Sequence, residues 1–149
     1  MPNKLSRQID YLLKYPEVDG VLTRSRLFLE PGIEAPSWLK RDLLLEDQAG
    51  YFPSALVVRK TAFEQVGRFD PAYRTSSDSD WFFRAKNRGV SIAILPETSV
   101  HRRIHKGNHS YQAQLACSEL LKVVKSSIDH QRSRGPNSNR RLSTKPREL

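Results

Sequence analysis

Residues 54–96 read SALVVRKTAFEQVGRFDPAYRTSSDSDWFFRAKNRGVSIAILP, and the order of pieces in this stretch decides the fold class. Ser54–Val58 is a short apolar run of the length and composition of a buried strand. Thr61–Val66 follows as a brief helix with Ala62, Phe63 and Val66 apolar, and Gly67 supplies its left-handed stop. Phe69-Asp70-Pro71 is a turn. Ser77–Arg88 is a second helix, stopped by Gly89. Ile92–Leu95 is a strand, ended by Pro96. Strands alternating with helices put the chain in the α/β or α+β class.

Upstream, residues 3–15 have Leu5, Ile9, Leu12 and Leu13 on one helical face, with Asn3 to cap the start and Pro16 to enforce the stop. Residues 18–29 read as extended. Pro31, Gly32 and Pro36 mark a loop, and Trp38–Glu46 is a short helix with Leu39, Leu43 and Leu44 apolar. Downstream, Ser99–His105 is extended. Ser110–Ile128 is a longer helix whose Leu115, Cys117, Leu120, Leu121, Val124 and Ile128 could face a core or a partner. No internal repeat is present.

The chain has 149 residues, of which 38% are hydrophobic and 28% charged. That is enough for one domain with a modest core. No run approaches the roughly 20 apolar residues of a membrane span, and no basic-then-apolar leader opens the chain. The single cysteine, Cys117, excludes an internal disulfide and a cysteine-built zinc site, and a reducing cytoplasmic setting is expected. The net charge is +9. Residues 126–149 hold six basic and two acidic residues with few apolar ones, so a disordered basic tail is expected from residue 129 onward. Such a tail could touch nucleic acid or anionic lipid, or simply be solvated.

Two polar constellations stand out. In Ser76-Ser77-Asp78-Ser79-Asp80-Trp81, two carboxylates sit two residues apart at the head of a helix. Positions i and i+2 do not share a face, so the two acids have different jobs. One could act as a general base at a cleft edge, held charged by the helix dipole. The alternative is structural: Ser77 or Asp78 as N-cap, with Asp80 completing a box-like arrangement. In the second constellation, His101-Arg102-Arg103-Ile104-His105-Lys106-Gly107-Asn108-His109, residues His101, Arg103 and His105 share one face of an extended segment. Arginines beside a glycine suit a phosphate or diphosphate, and a neutral histidine suits a divalent metal. The alternative is a basic, solvated strand and turn.

In order, Ser54–Lys60, Phe63–Pro71, Asp78–Ala85 with Gly89, and Val100–Ser110 resemble the C-terminal half of family 2 glycosyltransferases with the GT-A fold. The opening Pro2-Asn3-Lys4-Leu5-Ser6-Arg7-Gln8 resembles the stretch that follows the family's Asp-x-Asp strand. The likeness covers about residues 2–111. It implies a partial GT-A, Rossmann-like α/β domain over residues 1–111, a C-terminal helix over 112–128 and the tail over 129–149.

The resemblance implies transfer of a sugar from a nucleotide-diphosphate sugar to an acceptor hydroxyl, usually with inversion. Asp78 falls on the catalytic base. Asp80 and Trp81 would shape the acceptor side, and Arg84 would pair with a carboxylate or phosphate. Arg103 and Asn108 would close over the donor diphosphate. His105 matches the late metal or diphosphate contact, with Mg²⁺ or Mn²⁺ neutralising the leaving group. Ser77 stands where the family often has Glu. No Asp-x-Asp precedes residue 78, so the donor-binding half is expected on a separate segment. A catalytically inactive fragment is the alternative. A small basic nucleic-acid-binding protein ranks last, because no helix-turn-helix pattern or aromatic-interleaved basic stripe supports it.

Overall fold

The computed structural model describes residues 3–36, 39–108 and 113–133. The element order is α1 (Lys4–Lys14), β1 (Gly20–Leu29), α2 (Asp42–Leu45), β2 (Gln48–Ala49), β3 (Leu56–Val58), α3 (Lys60–Val66), α4 (Ser77–Asn87), β4 (Ile92–Ile104) and α5 (Ala113–Ser133). A single 3-10 turn, Pro53–Ala55, leads into β3. The fold is mixed α/β with one open, mixed four-stranded sheet.

Every strand pairs with β1. β4 runs parallel to it from Gly20↔Ile92 to Leu29↔Ile104. β3 pairs antiparallel with its first residues, Val21 opposite Val57, and β2 antiparallel further on, Arg24 opposite Ala49. Because β4 already occupies one edge of β1 at these positions, β2 and β3 lie in line along the other. All of Gly20–Thr23 is buried, which explains why the start of this strand is apolar without alternation.

The sheet is covered on both faces. On one, α1 contributes Leu12, which packs with Val18, Val21 and Leu95. On the other, α3 and α4 contribute Val66, Trp81 and Ala85, packed against Leu56, Val58 and Ile92. Neighbouring strand residues therefore point alternately to the two layers, as a pleated strand requires. Gly50 marks a close approach beside β2: a Cβ there would stand 2.5 Å from the Ala55 Cβ and 2.8 Å from the Thr23 carbonyl oxygen.

Four local expectations change. The extended piece expected to stop at Pro96 continues as one strand to Ile104. Its register slips between Ile94 and Thr98 and again before Val100, so the missing proline N–H falls in a bulge and breaks no ladder. Ser54 and Ala55 belong to the 3-10 turn, which leaves only three residues in β3. The helix expected over Trp38–Glu46 shrinks to Asp42–Leu45, with Trp38 outside the described residues. Helix α5 runs to Ser133, five residues into the expected tail, the rest of which lies outside the described residues.

The largest difference is the rotation of α1. Leu12 is buried, but Leu5, Ile9 and Leu13 are 61%, 48% and 71% exposed. The buried partner of Leu12 is Gln8, whose amide Nε2 donates to the Val21 and Ala55 carbonyl oxygens at 2.8 and 2.9 Å. Arg59 pins the far end of the helix, donating to the Val18 carbonyl at 2.9 Å and to that of Leu12. The helix is oriented by polar groups that satisfy backbone carbonyls, and its apolar stripe faces outward.

Candidate functional site

The first turn of α4 is built from a distance. Its N-cap position is Ser76, which makes no side-chain cap, and neither Ser77 nor Asp78 occupies that position. The orphan amides just upstream converge on Glu119 of α5. The backbone N–H groups of Arg74, Thr75 and Ser76 donate to its carboxylate at 2.9, 2.8 and 3.0 Å, and the Thr75 hydroxyl donates at 2.6 Å. The Thr75 hydroxyl, reinforced by these amides against the penalty of burial, holds the Glu119 pKa at about 2. Glu119 thus fixes the segment that enters α4 without capping the helix; within the first turn the Ser79 amide is taken by Asp78.

This anchoring separates the two aspartates. Asp80 is buried. Its Oδ2 accepts from Arg84 Nε at 2.7 Å, one helical turn on, and the same guanidinium donates to the Val66 and Arg68 carbonyls at 2.7 and 2.8 Å. Arg84 thereby ties α4 to the end of α3. Trp81 is fully buried in the core and its Nε1 donates to the Gly67 carbonyl at 2.9 Å. Gly67 adopts φ 86°, which turns the chain out of α3. Asp78 is only half-buried. Its Oδ1 accepts from the Ser79 amide at 2.7 Å, and its other oxygen has no partner among the described residues. Two acids two positions apart carry two jobs: Asp80 braces the fold, and Asp78 presents an open carboxylate.

Beside this turn lies a cleft of about 430 Å³, lined by Tyr51, Ser79, Phe82, Lys86 and Ile92 among others. Ser79 reaches it; Asp78, next in sequence, does not line it. Tyr51 meets Phe82 edge-on with ring centroids 5.4 Å apart. The walls are aromatic and apolar, and Lys86 and Ser79 supply the polar groups.

Arg103, His105 and Asn108 are brought together where β4 ends. Asn108 Nδ2 donates to the Arg103 carbonyl at 2.9 Å, and the Asn108 amide donates to the His105 carbonyl at 3.0 Å. Arg103 pairs with Glu30 at 3.2 Å, its side chain still 57% exposed. His105 Nδ1 accepts the Gly107 N–H at 3.2 Å. That hydrogen bond leaves the proton of the neutral ring on Nε2, so neither nitrogen offers a free lone pair to a metal without re-forming the turn. Among the described residues no three His, Cys, Asp or Glu side chains gather at one point. Within the described part of the chain, His105 therefore has no donor set around it that fits a divalent cation. No hydrogen bond or ion pair among the described residues joins this turn to Asp78.

Three polar residues that organise the fold have no local sequence signal. Glu119 and Gln8 act on partners far along the chain. Asp47 accepts from Arg26 Nε and a second guanidinium nitrogen at 2.7 and 3.1 Å and from the Thr98 hydroxyl. The Arg26 hydrogen bond, then that of Thr98, lowers the Asp47 pKa. The signal that could have found Glu119 is that it is the one acid of α5 before Asp129, set among apolar and basic residues. Comparisons with family models, curated proteins and solved structures find no match to this chain.

Proposed function

We propose that the chain is the acceptor-side half of a family 2-type glycosyltransferase, a partial GT-A domain that works in the cytoplasm with a donor-binding half. The observation that carries the reading is the division of labour at the head of α4. Asp80 is committed to Arg84, while Asp78 keeps one carboxylate oxygen without a partner among the described residues, one position before Ser79, which lines the aromatic-walled cleft.

An alcohol is a poor nucleophile until its proton is accepted. In this reading Asp78 takes the proton of an acceptor hydroxyl as that oxygen bonds to the anomeric carbon of the donor sugar. The bond from that carbon to the diphosphate breaks on the opposite face, and the nucleoside diphosphate leaves with the electron pair. Asp80, Trp81 and Arg84 act as positioning residues that hold the turn carrying Asp78. Arg103 and Asn108 face the diphosphate. A divalent cation such as Mg²⁺ or Mn²⁺ would supply charge neutralisation for the leaving diphosphate, and its ligands would have to come from the donor-binding half. The exposed Leu5, Ile9 and Leu13 stripe supports the need for that half. It lies on the outward side of α1, away from the buried Gln8 and Leu12, where a further layer would bury it.

The test begins with the coding sequence just upstream of the Met1 codon. An Asp-x-Asp-bearing strand there, expressed together with this chain, should release nucleoside diphosphate from a nucleotide sugar, and Asp78→Asn should abolish that release. Release unchanged by Asp78→Asn removes Asp78 as the base. No release from any nucleotide sugar tried leaves an inactive fragment.

A further inference from the structure

Helix α5 docks on the domain by a line that is mostly polar. Glu119, Val123 and Ser127, at i, i+4 and i+8, are its buried residues. Ser127 shares a hydrogen bond with Asn87 of α4 at 3.0 Å. The apolar residues that sequence patterning assigns to a core or a partner fall mainly on another face. At 100° per residue, Cys117, Leu120, Leu121, Val124 and Ile128 fill an arc of about 100° beside the docked line and turned away from it. Leu120, Leu121 and Ile128 are 42%, 67% and 43% exposed, and Cys117 is exposed.

Charge identifies what fits this face. Lys125 and Arg132 lie within about 40° of Leu121 around the helix, and both are exposed. Long cationic side chains at the border of an apolar stripe can lay their methylenes along a hydrocarbon boundary and hold their charges at its surface. Beyond Ser133 the sequence continues with five more basic residues, Arg134, Arg140, Arg141, Lys145 and Arg147, and one acid, Glu148. A second copy of this helix would bring like charges together along the seam. An anionic surface would pair with all of them. No helix among the described residues is long and apolar enough to cross a membrane, and the buried polar line keeps one side of α5 on the protein.

We infer that α5 is a peripheral membrane-docking helix, lying in the plane of an anionic bilayer with the Cys117–Ile128 stripe in the headgroup boundary and the basic flank on acidic lipid headgroups. The inference is independent of the glycosyl-transfer reading.

The experiment sediments the full chain with vesicles of phosphatidylcholine alone or mixed with phosphatidylglycerol. Binding should be at least about tenfold stronger to the anionic vesicles and should weaken with salt. The paired variant Leu121→Asp, Ile128→Asp should lose about tenfold of that binding, and so should Lys125→Glu with Arg132→Glu. A second readout needs no substitution in the stripe: an environment-sensitive fluorophore on Cys117, the single cysteine, should shift to the blue on anionic vesicles. Absence of binding to anionic vesicles overturns the proposal. So does binding with no shift at Cys117, which would assign the attraction to the terminal basic residues alone. Concentration-dependent dimerisation abolished by Leu121→Asp, without vesicle binding, also overturns it in favour of a second copy.

Discussion

Glu119 and Thr75 are joined twice, the carboxylate accepting the threonine hydroxyl at 2.6 Å and its amide at 2.8 Å. With the Arg74 and Ser76 amides added, one side chain of α5 fixes the entry into α4 and hence the placement of Asp78. The C-terminal helix is therefore a working part of the domain's interior.

This contact makes stability acid-sensitive. The Glu119 pKa is lowered in the fold, from 4.5 to about 2. A lowered carboxylate pKa stabilises the fold fully above the unfolded value, and that contribution fades as pH falls from about 4.5 towards 2. Thermal melts of the protein and of Glu119→Gln should differ most near neutral pH, with the variant melting lower. The gap should close as the buffer is taken towards pH 2. A gap independent of pH would show that Glu119 acts there without its charge.

The two aspartates at the head of α4 should respond differently. Asp80→Asn weakens a charge-assisted bond to Arg84 inside the fold, and Arg84→Ala removes donors from three acceptors, so each should cost about 2 kcal/mol. Asp78→Asn alters a half-buried group with one local contact and should stay within about 0.5 kcal/mol of the parent. Urea midpoints at constant slope measure the contrast. Equal losses at both positions would contradict the separation of roles.

Gly50 should tolerate no side chain. Its Cβ would fall 2.5 Å from that of Ala55 and 2.8 Å from the Thr23 carbonyl oxygen; Thr23 is held in β1 and Ala55 in the 3-10 turn that leads into β3. Gly50→Ala should destabilise by about 1–3 kcal/mol through overpacking, read again from urea denaturation. Gly32→Ala meets nothing within 4 Å; its cost should be confined to the strain of φ 80°.

Gln8→Ala should loosen the junction of α1 with the sheet. The substitution leaves the Val21 and Ala55 carbonyls without the amide that serves them both and opens a cavity under the helix, for a loss of about 2–3 kcal/mol. Hydrogen exchange should speed in α1 and along Leu56–Val58 more than in α4. Uniform acceleration would mean that the helix and sheet open as one unit.

How far the sequence could be read depends on where each residue's partner lies. α4 was legible because its signals are local: an acidic first turn, a basic last turn and Gly89 after the end. Helical geometry alone gave that the two acids have different jobs; that Asp80 is the committed one and Asp78 the open one is seen only in the structure. The face of α1 was not legible. Periodicity favours the leucine stripe, but the buried position goes to Gln8, whose acceptors are 13 and 47 residues away. Glu119 was missed for the same reason, its partners lying 43 to 45 residues upstream. Trp81 has a fully buried ring that packs against Phe63, Phe69 and Phe82, the packing role that its residue type suggests without the resemblance. Pro96 reads as a strand end unless the bulge that accommodates it is known.

The dependence of the sheet on β1 has a consequence for biosynthesis. Gly20 and Ile92 are paired although 72 positions separate them, and the same ladder closes only at Ile104. A chain made at about 5–20 residues per second leaves the ribosome with β1 already complete and its long parallel neighbour several seconds away. Until then the edge of β1 that β4 pairs with, from Gly20 to Leu29, has no strand beside it. The nascent protein therefore passes through an interval in which the strand with the most buried residues is half-clothed, and a chaperone that binds extended segments would find its target there, around residues 20–29.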